Sequence, residues 1–322
     1  MTDQFGREIN YLRISITDRC NLRCFYCMPQ QPEHLCHADI LSYEEIVRIA
    51  RLAASLGITK IRITGGEPLV RKDCAELIAM LKRISEIQTV ALTTNGTLLE
   101  QALPELCKAG LDAVNISIDT TQEAVWHRIT RYDKSMPNWL DLLHQCICNG
   151  LNTKVNAVLL KETRTEWTAL AALAERLSVD VRFIEQMPIG QGKSSETENA
   201  QAVLQELRKQ CPDLHPIKTC DAGSPARYYA GTGLKGRIGL ITPISHQFCS
   251  RCNRIRLTST GQLKPCLSYG CSTDLRTLLR SGASDEALLS AMRDCIYQKP
   301  EQHCFAAKTD KAERQTMNRI GG

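Results

Sequence analysis

Between residues 12 and 186, strand-like runs alternate six times with helix-like stretches, and this alternation limits the fold of the 322-residue chain more than any other feature. The strand-like runs are Leu12–Thr17, Lys60–Thr64, Thr89–Thr94, Ala113–Asp119, Thr153–Leu160 and Asp180–Glu185. Between them lie amphipathic stretches such as Tyr43–Ser55, Cys74–Ile84, Leu140–Cys148 and Glu166–Leu177. Ser42, three residues before Glu45, reads as a capping box for the first helix. Repetition of this kind predicts a parallel sheet. Six units are too few to close an eight-fold barrel, so the expected fold is α/β, a partial (β/α)6 TIM-type barrel. Its chemistry belongs in the loops after the carboxyl ends of the strands.

From about Met187 the pattern breaks. Gly190, Gly192, Lys193, Ser194 and Ser195 read as a loop or linker, followed by one helix over Asn199–Gln210. The remainder is Gly-rich and Cys-containing, with only short strands expected. The chain divides accordingly into a barrel domain over 1–195 and a smaller domain over 196–322 that closes the barrel's mouth. Hydrophobic residues make up 43%, enough for a sizeable core. A net charge of +5 is too small to argue for nucleic acid, but it suits a local pocket for an anionic small molecule. No apolar run reaches the roughly 18 residues of a membrane span, and MTDQFGREINYLR lacks the core of a secretory signal. A cytoplasmic protein without membrane or nucleic-acid partners is expected. There its 16 cysteines stay mostly reduced, and clustered ones read as metal ligands.

Cys20, Cys24 and Cys27 form C-x3-C-x2-C directly after the first strand. Three thiolates in so short a loop can converge on one inorganic centre. A [4Fe–4S] cluster usually takes four cysteines, so three would leave one iron open to a substrate or cofactor. A zinc ion borrowing a fourth ligand from His34, Cys36 or His37 is the other reading. Cys249, Cys252 and Cys266 form a second triad, C-x2-C-x13-C, which by spacing alone reads as a zinc site completed by Cys271 or His246. Arg254 and Arg256 alternate on a strand-like segment, so both side chains point to one face, where a guanidinium pair suits phosphate oxygens. Arg13, Lys60, Arg62, Lys154 and Arg182 are each flanked by apolar residues, as expected of side chains aimed into a barrel. No Walker P-loop is present.

The first triad, with Tyr26 before its last cysteine, resembles the signature of the radical S-adenosylmethionine (SAM) superfamily. Gly65-Gly66-Glu67-Pro68 resembles the superfamily segment that holds the methionine amino group of SAM; its glycines permit positive φ and close approach to a ligand. The run Phe248-Cys249-Ser250-Arg251-Cys252-Asn253-Arg254-Ile255-Arg256-Leu257 and the Ile320-Gly321-Gly322 tail closely resemble the GTP 3′,8-cyclase family of molybdenum cofactor biosynthesis. Nearly the whole chain, from Leu12-Arg13 to Gly322, is covered by that resemblance.

The resemblance implies two [4Fe–4S] clusters, one on Cys20, Cys24 and Cys27 and one on Cys249, Cys252 and Cys266, each with an open iron. It implies SAM contacts at Tyr26, Gly66, Glu67, Ser117 and Met187, and GTP contacts at Arg13, Lys60, Arg62, Thr93, Lys154, Arg182, Arg254 and Arg256. Gly321 and Gly322 would reach into the active site. The implied reaction starts with reductive cleavage of SAM. The 5′-deoxyadenosyl radical then takes the ribose C3′ hydrogen of GTP, and C3′ attacks guanine C8. Reduction gives 3′,8-cyclo-7,8-dihydroguanosine 5′-triphosphate. The implied partners are an electron donor such as a reduced flavodoxin or ferredoxin and a downstream cyclic pyranopterin monophosphate synthase, with a homodimer left open. A peptide-modifying radical SAM enzyme and a zinc-stabilised binding protein without catalysis are the competing readings. Iron and acid-labile sulfide separate the second of these from the cyclase.

Overall fold

The computed structural model describes residues 1–194, 198–218, 223–305 and 310–321. Ser195, Cys220 and Gly322, and with them the boundary between 195 and 196, lie outside the described residues. Six strands pair in sequence order, all parallel: β1 (Tyr11–Ser15), β2 (Lys60–Thr64), β3 (Thr89–Thr94), β4 (Ala113–Ser117), β5 (Asn152–Val158) and β6 (Asp180–Ile184). The second and third match the expected spans, whereas β4 and β5 stop earlier. At that point the Asp119 carboxylate accepts the Val158 N–H at 2.8 Å, so a side chain takes over from the ladder and the chain turns into loop.

The helices pack on the outside of this curved sheet: α1 (Tyr43–Ser55), α2 (Cys74–Lys82), α3 (Leu99–Lys108), α4 (Glu123–Thr130), α5 (Trp139–Cys148) and α6 (Trp167–Arg176). α1 starts on the expected capping box, with the Ser42 hydroxyl accepting from Glu45 N and the Glu45 carboxylate accepting from Ser42 N. Its Ile46, Ile49, Ala50 and Ala53 recur at helical spacing and are fully buried against the sheet.

Beyond residue 190 the structure departs from expectation in three ways. Gly190–Ser194 forms a short 3₁₀ turn before α7 (Ala200–Gln210). The later strands, β7 (His215–Ile217), β8 (Ala226–Ala230), β9 (Ile238–Ile241), β10 (Arg254–Leu257), β11 (Gln262–Lys264) and β12 (Thr273–Asp274), build no sheet of their own. They extend both edges of the barrel sheet, with β9 parallel to β6 and β10 parallel to β1, in the order β12-β11-β10-β1-β2-β3-β4-β5-β6-β9-β8-β7. Finally, the expectation of only short strands after α7 is wrong. α8 (Leu275–Arg280), α9 (Asp285–Tyr297) and α10 (Met317–Ile320) are helices. Ser284 caps α9 by accepting from Ala287 N, and its Leu288, Met292, Cys295 and Ile296 make a buried stripe. The glycines that suggested irregular chain, such as Gly261 and Gly282, occupy positive-φ turns between these elements.

Among the described residues, no helix is long and apolar enough to cross a membrane.

Candidate active site

Inward-facing residues of the strands line one cavity of about 610 Å³, and all six cysteines of the two triads border it. They do so from opposite ends. Cys20 follows the carboxyl end of β1, whereas Cys252 lies just before Arg254, which pairs with Tyr11 at the amino end of β1. Cys266 comes to that same end because β11 runs antiparallel to β10. Of the two triads, only the first therefore lies after the carboxyl ends, where the chemistry is expected. The second triad lies at the opposite pole, one strand away, and β1 with its 5 residues spans roughly 16 Å.

The first cysteine loop is held by backbone pairing that prolongs β1 and β2. Gly66 N donates to Thr17 O and Glu67 N to Arg19 O, each at 2.8 Å. A Cβ on Gly66 would lie 2.4 Å from Arg19 O, and one on Gly65 would lie 2.8 Å from Thr17 O. Neither glycine has positive φ. Their absence of a side chain thus serves close packing on the chain's own cysteine loop, which corrects the expectation of a positive-φ turn. Burial pushes the thiols up, Cys20 to about 11, Cys27 to about 12 and Cys24 well above its usual range. Donors already point at sulfur: Leu22 N at 3.4 Å and Asn95 Nδ2 at 3.8 Å on Cys20, and the Asn318 N–H on Cys27.

This donor set fits an iron–sulfur cluster, whose thiolates bond to separate irons and accept hydrogen bonds from the surrounding shell. Among the described residues, no three His, Cys, Asp or Glu side chains gather closely enough for a single ion. A cluster does not require such gathering. His34, Cys36, His37, His246 and Cys271, the alternative fourth ligands, are not among the residues lining the cavity. Tyr26 also borders the cavity; its hydroxyl donates to Asp119 at 2.7 Å, and burial raises the Asp119 carboxyl above its ordinary value. Ser117 and Met187 line the same wall. Glu67 is fully buried, which raises its carboxyl to about 7. Its oxygens accept from Leu69 N, Thr94 Oγ1 and Asn95 N, so this carboxylate brackets the loop after β3.

Between the poles the wall is cationic. Arg13, Lys60, Arg62, Lys154, Arg182, Arg254 and Arg256 all border the cavity, as does Thr93. Their situations differ. Lys154 is paired with Asp180 at 3.2 Å, and Arg237 grips the same carboxylate at 2.6 Å. Arg182 is buried, and its Nε and Nη2 have no hydrogen-bond partner among the described residues. Burial, then Arg254, pushes Arg256 down to about 10; burial, then Arg256, pushes Arg13 well below its ordinary value. Like charges crowded in low dielectric are costly to hold, and a bound polyanion would relieve them.

Tyr11 stands amid these cations. Its hydroxyl accepts from Arg62 Nε at 2.5 Å, and Lys60 Nζ lies 5.2 Å from its ring centroid. Against the upward push of burial, Arg62, Arg13, Arg254 and Lys60 bring its phenol down to about 7. A folded value below the unfolded one stabilises the fold fully above pH about 10, and that contribution disappears as pH falls through about 7. The stability advantage of wild type over Tyr11→Phe should therefore grow by about 1 kcal/mol per pH unit above pH 7. Urea denaturation of both proteins at pH 7, 8 and 9 measures it, and an advantage that stays constant would mean that no phenolate forms.

Tyr11, Asn115, Asn156 and Lys299 line the cavity and were not singled out from the sequence. The Oδ1 atoms of both asparagines are buried without a partner among the described residues. A signal for these two existed: Asn115 stands two residues before Ser117 and Asn156 two after Lys154, so strand alternation puts each on the inward face. Lys299 has no such signal, since it follows α9 and reaches the cavity only through tertiary packing.

The second triad differs electrostatically from the first. Burial raises Cys249, whereas at Cys252 the push of burial is outweighed by Lys299 and Arg254, which leave that thiol below its ordinary value. The carboxyl-terminal tail ties the poles together. Lys264 and Glu313, both buried, pair at 2.6 Å, and Asn318 Nδ2 donates to Asp18 O at 3.0 Å. Gly321 adopts φ +75° and its carbonyl accepts from Arg256 Nη1 at 2.6 Å. A Cβ there would lie 2.8 Å from both Ser15 Cβ and Thr64 Oγ1.

Known proteins resemble the chain along nearly its whole length. The Radical SAM superfamily model matches residues 14–174 and the Molybdenum Cofactor Synthesis C model matches 179–305. The chain is 42% identical over 324 residues to a GTP 3′,8-cyclase of Clostridium perfringens, covering 100% of both chains. It is 41% identical to the Heliobacterium modesticaldum protein of the same name, again over 100% of each. Molybdenum cofactor biosynthesis protein 1 of Bos taurus is 41% identical over 98% of this chain and 51% of that one. Among solved structures, Streptococcus suis SuiB bound to S-adenosylmethionine superposes with a TM-score of 0.65 over 97% of this chain and 78% of that one, at 15% identity. That likeness establishes the fold and nothing finer.

Proposed function

The chain belongs to the GTP 3′,8-cyclase family of radical SAM enzymes, and from that premise we propose how its cavity converts GTP to 3′,8-cyclo-7,8-dihydroguanosine 5′-triphosphate. This reaction is the first step of molybdenum cofactor biosynthesis. One observation carries the reading: two cysteine triads face each other through a single cavity, with a cationic wall between them.

Cys20, Cys24 and Cys27 would hold the [4Fe–4S] cluster of the superfamily, and Cys249, Cys252 and Cys266 a second one. With SAM, the first cluster would supply the radical chemistry needed to remove the C3′ hydrogen. The residues of the chain position and shield. Gly66 and Ser117 offer backbone and hydroxyl to SAM, Tyr26 and Met187 apolar surface, and Glu67 keeps the loop after β3 in register. Arg182, Arg13, Arg62, Lys60, Arg254 and Arg256 bind the triphosphate, with Thr93 beside Arg62 at 3.4 Å. Two unit charges at 4 Å attract by roughly 4 kcal/mol at an effective dielectric near 20. Ordering a long side chain costs up to about 2 kcal/mol, and most of that is already spent where these side chains are buried. Lys154, held by Asp180, contributes its charge from a fixed position. The family resemblance would set the purine toward the second triad and the ribose toward the first. The cavity holds C3′ near the radical and excludes water.

In the cell we place the enzyme in the cytoplasm, supplied with electrons by a reduced flavodoxin or ferredoxin. Its product passes to cyclic pyranopterin monophosphate synthase. The test is an anaerobic assay of reconstituted, reduced protein with SAM and GTP, followed by mass spectrometry. Joint appearance of 5′-deoxyadenosine and a cyclised GTP derivative is the expected result. 5′-Deoxyadenosine without any change in GTP would refute the substrate.

A further inference from the structure

Lys299 sits on the cavity wall at 2% exposure, and no carboxylate pairs with it among the described residues. Lys264, equally buried, shows the usual solution, an ion pair with Glu313. An ammonium buried without a counter-charge is costly unless another anionic group belongs beside it. The surroundings of Lys299 identify that group. Its Nζ donates to Arg254 O at 2.7 Å and to Pro265 O at 2.6 Å. The first carbonyl lies two residues past Cys252 and the second immediately before Cys266. The Cys252 thiol is within hydrogen-bonding reach of the same ammonium. One cation thus bridges the two separate segments that carry the second triad.

The segment bearing Lys299 is itself locked to the remaining ligand. Arg7 Nη1 donates to Cys249 O at 2.9 Å and to Glu301 O at 2.8 Å, and Nη2 donates to Pro300 O at 2.7 Å and to Lys299 O at 3.3 Å. Asp3, 2.6 Å from Arg7 Nε, neutralises that guanidinium, so Arg7 acts as a bracket while Lys299 keeps a net charge. The His303 N–H donates to the Cys249 thiol from the same segment.

We propose that Lys299 is the fixed counter-cation of the second iron–sulfur cluster, locking the Cys249–Cys252 loop to the Cys266 segment and raising that cluster's reduction potential. The inference rests on the two-cluster reading. A [4Fe–4S] cluster bound by three thiolates is anionic and gains one negative charge on reduction. A nearby fixed positive charge stabilises the reduced form more than the oxidised form.

The experiment uses the full chain with Cys20, Cys24 and Cys27 replaced by Ala, so that only the second triad can hold iron. After anaerobic reconstitution with iron and sulfide, iron per chain is counted and the midpoint potential is read by EPR-monitored redox titration. Thermal melting checks each fold. Lys299→Gln can still donate to both carbonyls but carries no charge; it should hold iron with a midpoint shifted to more negative potential. Lys299→Met should lose most of the iron. Lys299→Arg should keep both iron and midpoint near those of the parent. An unchanged midpoint in Lys299→Gln together with full iron in Lys299→Met overturns the proposal. So does an arginine variant that behaves like the methionine one, since shape rather than charge would then be what the loop requires. If the parent with Lys299 intact holds no iron, the two-cluster reading falls and takes this inference with it.

Discussion

Cys24→Ala protein, reduced anaerobically with SAM, should form 5′-deoxyadenosine more than about 1,000-fold slower than wild type, a barrier increase of over about 4 kcal/mol. Its carbonyl accepts the backbone N–H of both Cys27 and Met28, and an alanine leaves that turn intact. Only one sulfur is removed, but it is the middle ligand of three, and among the described residues no cysteine outside this triad lines this end of the cavity. Iron at the second triad should persist in the same sample, because its ligands stand at the opposite pole, just before β10 and just after β11, and their bracket of Arg7 and Lys299 is untouched. Iron analysis and mass spectrometry on one preparation read both outcomes. 5′-Deoxyadenosine forming at the wild-type rate would remove Cys24 from the first cluster.

Deleting Gly321 and Gly322 should lower cyclised product by about 100-fold, the typical loss when a reacting group is misplaced by about 1 Å. Folding and iron content should change little. The anchors of the tail precede the deletion: Glu313 remains on Lys264 and Asn318 on Asp18. What goes is the Gly321 carbonyl on Arg256, a charge-assisted bond of about 1.5–3 kcal/mol that aims this guanidinium. Gly321→Ala should produce part of the same loss, since its Cβ meets Ser15 and Thr64 in a φ range that disfavours any side chain. The ratio of cyclised product to 5′-deoxyadenosine is the measurement. A truncated enzyme with the wild-type ratio would make the tail a simple terminus.

Local order in the chain is legible in the amino-acid sequence by itself. Strands β2 and β3, helix α1 with its capping box, and both cysteine triads follow from periodicity and spacing within short windows. The cationic wall is legible too, because alternation along a strand assigns each basic residue a face without knowledge of its neighbours. The tertiary structure decided what those residues meet. Pairing of β10 with β1 and of β9 with β6 joins residues far apart in the chain and brings the second triad to the amino pole. Tertiary packing also pairs Lys154 with Asp180, leaves two nitrogens of Arg182 without a partner among the described residues, surrounds Tyr11 with cations, and sets Gly65 and Gly66 against the cysteine loop. Periodicity reports the direction of a side chain relative to its own backbone, whereas charge, burial and ligation depend on which distant segments fill the space it points into.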